Sequence, residues 1–176
     1  MKFLPTKIDG AFLVELEPHI DDRGFFTRQF AQEEFDAAGI NFKIVQTNQA
    51  YTKAKGVLRG MHWQTEPKLE AKFFQCLNGE IYDVICDTRP NSKTYGKWEG
   101  FHLKADEFKL LFVPGGIAHG YETLTDNCKV QYMVSEFYSP EYEKGFKWND
   151  PAFDIKWPIE PTFLSDKDKN LPDYIK

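Results

Sequence analysis

Residues 72–87 read KFFQCLNGEIYDVICD, two short apolar runs that meet at the pair Asn78-Gly79. Aromatic and β-branched residues suit the pleated, half-buried surface of a strand. An Asn-Gly pair between two such runs is typical of a tight hairpin turn. The stretch therefore predicts two strands that are joined by a hairpin.

Similar apolar runs recur along the chain, with turn residues between them. They are AFLVELE, GFFTRQF, FKIVQTNQAY, GVLRGMHWQ, WEGFHLK, LLFVPGG and CKVQYMVSEFY. Several short strands at such spacing predict an all-β sandwich or barrel. Only AQEEFDAAGI is typical of a helix, with Gly39 at its end. A chain of 176 residues is the size of one domain, so we expect a single domain over residues 1–176.

The charge and the cysteines exclude several classes of protein. Lys and Arg total 22 against 27 Asp and Glu, so a net charge of -5 gives no general attraction for nucleic acid or anionic lipid. No window approaches the roughly 20 apolar residues of a membrane span, and the start MKFLPTKIDG lacks the apolar run of a signal peptide. We therefore expect a cytoplasmic protein without nucleic-acid or membrane partners. The three cysteines show no CxxC spacing and are predicted to be buried thiols.

Polar side chains share predicted strand faces with apolar ones. Alternation places Lys72 on the face of Phe74, and Tyr132 on the face of Val130. In LRGMHWQ, residues 58–64, the same alternation places His62 and Arg59 on opposite faces. If both line one cavity, the strand must twist or bulge near Gly60.

Each of these residues alone also has a purely structural interpretation. His62 could be a hydrogen-bonded core residue, Tyr132 a packing residue, and Lys72 could extend its ammonium to solvent along an apolar stem. Arg23 would ordinarily pair with a neighbouring aspartate in a turn. Together, however, a base, a cation and an acid inside one barrel would be a costly core, and such groups in a cavity indicate a functional site.

The segment VPGGIAHGYETL, Val113 to Leu124, resembles the second conserved motif of cupins through Pro114, Gly116 and His119. A metal-binding cupin would need a His-x-His pair in its first motif. The matching stretch here is His62-Trp63-Gln64, which leaves too few nitrogen and oxygen ligands for a catalytic metal. The sequence therefore predicts a cupin barrel whose metal site has been replaced.

From about Phe12 to about Asp168 the chain resembles the dTDP-4-dehydrorhamnose 3,5-epimerase family. The matching motifs are DDRGFF (21–26), VQTN (45–48), LRGMHWQ (58–64), AKFFQC (71–76), GEIYDVICD (79–87), VPGGIAHGYETL (113–124), YSP (138–140), WND (148–150) and LSDKD (164–168). The resemblance implies a cupin jelly-roll barrel with short peripheral helices, and a homodimer whose DDRGFFTRQF strand crosses to the partner. It also implies an isomerase without cofactors, in the biosynthesis of dTDP-rhamnose and cell-surface polysaccharide such as O-antigen.

The implied substrate is a nucleotide-linked 4-keto-6-deoxyhexose. Protons at C3 and C5 flank its C4 ketone, so removal of either leaves an enolate. By resemblance His62 is the general base, Asp168 orients its imidazole, Lys72 stabilises the enolate and Tyr132 returns a proton from the opposite face. By this resemblance, the polar residues of the predicted cavity form, stabilise and reprotonate an enolate.

The same matches imply a set of substrate-binding residues. Those for the sugar and its diphosphate are Arg23, Gln46, Asn48, Arg59 and His119, Tyr138 faces the base, and Phe26, Arg28 and Glu143 complete the set. At Thr27-Arg28 the chain departs from many members, which have a glutamate two residues after RGFF. Because that position approaches the ligand from the partner subunit, the nucleotide and the sugar that the chain takes stay open.

Three alternatives remain open from the sequence. The chain could be an epimerase specific for C3 or C5 alone on another nucleotide sugar. A non-catalytic cupin that binds a sugar nucleotide would keep the arginines without needing a base and an acid. A metal-dependent cupin oxygenase would require a bound ion.

Overall fold

The computed structural model describes residues 1–175, which form mainly β-strands. The strands are β1 (Lys2–Pro5), β2 (Phe12–Glu15), β3 (His19–Asp21), β4 (Gly24–Phe26), β5 (Gln46–Thr52), β6 (Leu58–Gln64), β7 (Lys72–Asn78), β8 (Glu80–Asp87), β9 (Trp98–Lys104), β10 (Lys109–Val113), β11 (Ile117–Thr123), β12 (Cys128–Val134) and β13 (Glu143–Gly145). The helices are α1 (Gln32–Ala37) and α2 (Asp166–Lys169), with 3-10 turns at Ala105–Glu107 and Pro140–Tyr142. The all-β prediction is confirmed.

Two antiparallel sheets enclose the main core. One has six strands in the order β1-β2-β10-β7-β12-β5, and the other has five in the order β13-β6-β11-β8-β9. Inward side chains of both sheets form one apolar cluster, among them Phe74, Ile85, Tyr121 and Val130. Strands β3 and β4 pair only with each other. The sheets therefore face each other as the two walls of a barrel.

The hairpin predicted at Asn78-Gly79 is wrong. Strand β7 pairs with β10 and β12 in the six-stranded sheet, whereas β8 pairs with β11 and β9 in the other sheet. Gly79, at φ +81°, carries the chain round a corner between the sheets, where an added Cβ would lie 2.4 Å from Thr125 Oγ1. The turn signal is local, but strand pairing depends on which neighbours bury the inward faces of Cys76 and Ile81.

The bulge predicted near Gly60 is confirmed. His62 lies opposite His119 and Arg59 opposite Tyr121, so β6 uses three steps where β11 uses two. Gly60 has φ +130°, and a Cβ there would come within 2.5 Å of the backbone of β11. Only glycine fits this position. The extra residue turns both Arg59 and His62 toward the cavity between the sheets.

Two outer layers cover the barrel. The predicted helix is confirmed as α1, whose Phe35 is buried against Phe42 and Phe73 outside the six-stranded sheet. The C-terminal segment covers the five-stranded sheet through Phe146 and Phe153. Within that segment the short helix α2 contacts β6, and Tyr174 beyond it packs on Phe146 and Phe153.

The cysteines Cys76, Cys86 and Cys128 are free and buried, as predicted. No helix within residues 1–175 combines the length and the hydropathy that crossing a membrane would need.

Candidate active site

A cavity of about 580 Å³ lies between the two sheets at one end of the barrel. Strands of both sheets and the segment around α2 form its walls. The predicted site residues that line it are Gln46, Asn48, Arg59, His62, Lys72, His119, Tyr132, Tyr138, Glu143 and Asp168. A barrel mouth with a few converging polar groups is a common setting for a ligand site.

His62 and Asp168 form a close pair on one wall. Nε2 of His62 lies 2.7 Å from Oδ1 of Asp168, and both atoms are buried. Asp168 is 4% exposed, and its backbone N–H donates to Ser165 Oγ at the start of α2. Burial raises the pKa of the Asp168 carboxyl, but His62, Ser165 and Lys167 lower it more, so the net shift is downward. The ionised carboxylate can therefore orient the ring and stabilise its protonated form.

Lys72 pairs with an acid that the sequence did not single out. Its Nζ lies 3.1 Å from Oε1 of Glu70, and the two side chains are only 15% and 11% exposed. Both line the cavity, on the wall formed by the six-stranded sheet. A cation held there can stabilise negative charge that develops on a bound ligand.

Tyr132 projects from the same sheet as Lys72. Its ring stacks on Phe74 with centroids 5.6 Å apart, and it lies opposite Asn48 of β5. Burial raises the pKa of the Tyr132 phenol, the charge of Glu70 raises it further, and Arg59 partly opposes both. Tyr132 is therefore a protonated donor at neutral pH.

His119 is fixed by a buried carboxylate. Its Nε2 lies 2.9 Å from each carboxylate oxygen of Asp83, and its ring packs edge-on against Phe74. Asp83 has no exposed surface, and burial raises the pKa of its carboxyl against the opposing effects of His119 and Lys72. Nearby, burial raises the pKa of Tyr121 to about 12. This end of the cavity offers a fixed imidazole and a phenol.

An aromatic ring stands at the cavity mouth. Tyr138 is 54% exposed, and its hydroxyl donates to Glu143 Oε2 at 2.8 Å. Lys167 contacts the same oxygen at 2.5 Å. Burial raises the pKa of Glu143, but Lys167 and Tyr138 lower it more, and the net shift is downward. The ordered ring gives a flat ligand group a surface for stacking.

The remaining polar groups of the cavity offer donors and acceptors. The Gln46 side-chain amide donates to Asn48 Oδ1 at 2.7 Å, so the two residues on one face of β5 act together. The guanidinium of Arg59 pairs with no carboxylate of the described residues and is therefore available to an anionic ligand.

Gln64 stands where a metal-binding cupin would have a second histidine. Its amide donates to the carbonyls of Lys68 and Phe137, at 3.1 and 3.2 Å, and accepts from the backbone N–H of Ser139 at 2.6 Å. Both ends of the buried side chain are thus engaged in holding the chain together. Across residues 1–175, no three His, Cys, Asp or Glu side chains are grouped as metal ligands.

Three predicted binding residues lie away from this cavity. Arg23 is exposed, and its guanidinium pairs with Asp21 at 2.6 Å. This is the turn ion pair that the sequence left open as the structural alternative for Arg23. Phe26 and Arg28 line a separate depression of about 150 Å³ at the N-terminus. Strands β3 and β4 pair with no other strand, and none of these three residues lines the cavity between the sheets.

Sequence reasoning missed three residues of the cavity or its wall. Glu70 stands two positions before Lys72, and Tyr121 two positions after His119, so period-two alternation could have found both. Asp83 shares the core face of β8 with Ile81 and Ile85, and a buried acid on such a face requires a partner. The signal was present in each case.

Residues 5–175 match the family model described as dTDP-4-dehydrorhamnose 3,5-epimerase. The chain belongs to this family. The predicted family and the prediction of an isomerase are confirmed, and so, at the level of the family, is the predicted nucleotide-sugar epimerase function.

Individual members of the dTDP-4-dehydrorhamnose 3,5-epimerase family are similar along almost the whole chain. The enzyme of that name from Methanothermobacter thermautotrophicus is 41% identical, over 96% of this chain and 92% of its own. The Bacillus anthracis enzyme, crystallised with TDP and pyrophosphate, is 40% identical with a TM-score of 0.95, covering 98% of this chain and 99% of its own. A Legionella pneumophila epimerase in complex with dTDP-4-keto-L-rhamnose is 32% identical with a TM-score of 0.91, covering 99% of both chains. The predicted cupin-type fold is thereby confirmed.

Proposed function

We propose that this chain inverts C3 and C5 of a nucleotide-linked 4-keto-6-deoxyhexose, of the dTDP-4-dehydro-6-deoxyglucose type, through an enolate. One observation carries the proposal. The His62–Asp168 pair projects from the β6 side of the cavity, whereas Lys72 and Tyr132 project from the opposite sheet. A base on one side and an acid on the other is what inversion of a carbon centre requires.

In this proposal His62 removes the proton next to the ketone. Its Nε2 faces Asp168, so the other ring nitrogen holds the lone pair that accepts the proton. The Asp168 carboxylate then stabilises the imidazolium that forms. An imidazole suits this step because it ordinarily titrates near neutral pH.

Lys72 stabilises the charge that proton removal leaves on the C4 oxygen. The ammonium lies in a cavity that is largely shielded from water, where a fixed cation is worth more than in bulk solvent. Tyr132 then delivers its phenolic proton to the carbon from the opposite face. A phenol ordinarily titrates near pH 10, so Tyr132 carries its proton at neutral pH, and burial raises its pKa further.

The other cavity residues bind the substrate in this scheme. Arg59 suits the diphosphate, Gln46 and Asn48 suit sugar hydroxyls, and Tyr138 suits the nucleobase. The similar proteins crystallised with TDP and with dTDP-4-keto-L-rhamnose support a dTDP-linked sugar. We further propose that no metal takes part, because the amide of Gln64 already has three hydrogen bonds within the fold.

We also propose a homodimer in which the β3–β4 hairpin completes the partner's cavity. The hairpin exposes Ile20, Phe25 and Phe26, which are 73%, 63% and 69% exposed. Phe25 contacts Phe108 with one edge, but exposed apolar groups of this size on a hairpin outside both sheets favour a protein surface as their neighbour. If the hairpin packs against a second copy of this chain, Arg23 and Arg28 also come close to the cavity of that copy.

The test of the proposed function follows deuterium from solvent into the sugar. The protein is incubated in D2O with the dTDP-linked 4-keto-6-deoxyglucose, and NMR follows deuterium incorporation at C3 and C5 together with inversion. We expect both centres to exchange, and His62→Asn to lower exchange and inversion by about 100-fold or more, the usual scale of a general base.

The matched control is His102→Asn. His102 also faces a carboxylate, Glu80 at 3.0 Å, but it lies on the exposed face of β9. This variant should keep the wild-type rate. Exchange at one centre alone would reduce the function to that of an epimerase for C3 or C5, and no exchange in the wild type would leave a sugar-nucleotide-binding cupin.

A further inference from the structure

Glu70 is the one carboxylate that forms an ion pair with Lys72 within the described part of the chain. The two side chains point into the cavity from positions two residues apart, and neither is well exposed to water. Asp83 acts on Lys72 only from a greater distance. The charge state of this wall therefore depends on Glu70 as well as on Lys72.

The backbone around Glu70 is held in place. The N–H of Ala71 donates to Ser135 Oγ at 2.9 Å, and the N–H of Ser135 donates to the Ala71 carbonyl at 3.1 Å. On the other side Gly115 packs against the preceding residue, where an added Cβ would lie 3.0 Å from Leu69 Cβ and 3.5 Å from the Glu70 nitrogen. The carboxylate thus belongs to a fixed wall, unlike an exposed glutamate that can swing away.

A carboxylate beside the Lys72 ammonium at first looks unfavourable, since it reduces the positive potential that would stabilise the enolate. An ammonium in a poorly hydrated cavity, however, is costly unless a partner balances it. The pair also restricts the long lysine stem to one direction. Fixed placement of a charge contributes more to catalysis than an unplaced charge of the same sign.

Glu70 acts on Tyr132 as well. Burial is the main cause of the raised pKa of Tyr132, the negative charge of Glu70 adds to it, and Arg59 opposes it. Tyr121 is the other ionisable ring beside Tyr132. One carboxylate therefore influences both the proposed cation and the proposed proton donor.

We propose that Glu70 is a positioning residue for the epimerisation, holding the Lys72 ammonium where the enolate oxygen forms, on the wall that also carries the Tyr132 phenol. The inference rests on the proposed function, which it extends to a residue that does not itself touch the reacting carbon. Glu70→Gln keeps the shape of the side chain and removes its charge. Glu70→Asp keeps the charge on a shorter stem.

The experiment measures kcat, KM, the rate of deuterium incorporation, and the titration of Tyr132 by NMR of 13Cζ-labelled tyrosine. Tyr132→Phe identifies the signal of Tyr132. In Glu70→Gln we expect kcat and deuterium incorporation to fall by about 10-fold, with KM within about 2-fold, because the lost interaction acts on the enolate. The Tyr132 signal should titrate at lower pH, and Glu70→Asp should recover part of each effect.

Glu136→Gln is the matched control, since Glu136 pairs with Lys68 at 3.4 Å on the adjoining segment outside the cavity. It should leave every readout unchanged. Glu70→Gln with wild-type exchange, or with an unmoved Tyr132 titration, would overturn the proposal. A purely structural role would lower thermal stability alone. If the wild type itself incorporates no deuterium, the proposed function fails, and the Tyr132 titration still reports whether Glu70 acts on the phenol.

Discussion

Glu122 provides a test of how the fold tolerates a buried acid outside the cavity. It lies on β11 on the same face as Ala118, between the five-stranded sheet and the C-terminal segment, and has no exposed surface. Neither carboxyl oxygen has a hydrogen bond of good geometry within residues 1–175. Burial raises the pKa of Glu122 from 4.5 to about 7, with Glu160 adding to the shift and Ile159 and Lys55 opposing it.

The sign of the effect on stability follows from the raised pKa. The folded protein holds the proton more tightly than the unfolded chain, so the associated stability is present below pH 4.5 and is lost as the pH rises to about 7. At about 1.4 kcal/mol for each pKa unit, the loss amounts to about 3 kcal/mol. Glu122→Gln has nearly the shape of the protonated acid and stays neutral at every pH.

The assay is urea unfolding of the wild type and of Glu122→Gln at a series of pH values from about 4 to 8. The two proteins should have similar free energies of unfolding near pH 4, and the variant should be more stable by about 3 kcal/mol at pH 8. Taking the difference at each pH cancels the titration of all other groups. An exposed control, Glu141→Gln, should show no such trend. A difference for Glu122→Gln that does not change with pH would refute the reasoning.

The remaining predictions concern the proposed site. In Tyr132→Phe the ring still stacks on Phe74, so folding should change little, while the proton donor is lost. In D2O this variant should incorporate deuterium faster than it accumulates the epimer, provided that the His62 proton exchanges with solvent before it returns. If NMR shows the wild-type ratio of deuterium incorporation to inversion, Tyr132 is a packing residue. EDTA should leave the rate unchanged, and activity that is lost with EDTA and restored by a divalent ion would contradict the metal-free proposal. Light scattering at micromolar concentration should give a dimer, whereas a fully active monomer would contradict the crossing of the β3–β4 hairpin.

Local patterns predicted much of the cavity. Period-two alternation placed Lys72 and Tyr132 on inward faces, because each lies on a strand with one face in the main core. The bulge near Gly60 followed from requiring Arg59 and His62 to face one space. The strand β11 was not predicted, because all its residues are buried and its sequence shows no alternation.

Features that depend on distant parts of the chain could not be derived from local patterns. The pairing of β7 and β8 with strands in different sheets leaves no mark near Asn78-Gly79. Asp168 was assigned through the family resemblance alone, because a short helix at the far end of the chain carries it to His62. A sequence pattern states which way a side chain points, whereas the partner it meets depends on the whole topology.

A rule about charge nevertheless connects the distant groups. The proposed cation and the proposed base each meet a carboxylate, since Lys72 has Glu70 and His62 has Asp168. Removing one member of a buried pair leaves an uncompensated charge, whereas replacing both by apolar groups of similar volume is often neutral for stability. If these pairs served the fold alone, apolar pairs would serve as well in the same cavity. Two ion pairs on facing walls of one space are therefore what the proposed chemistry in that space requires, with Glu70 acting through Lys72.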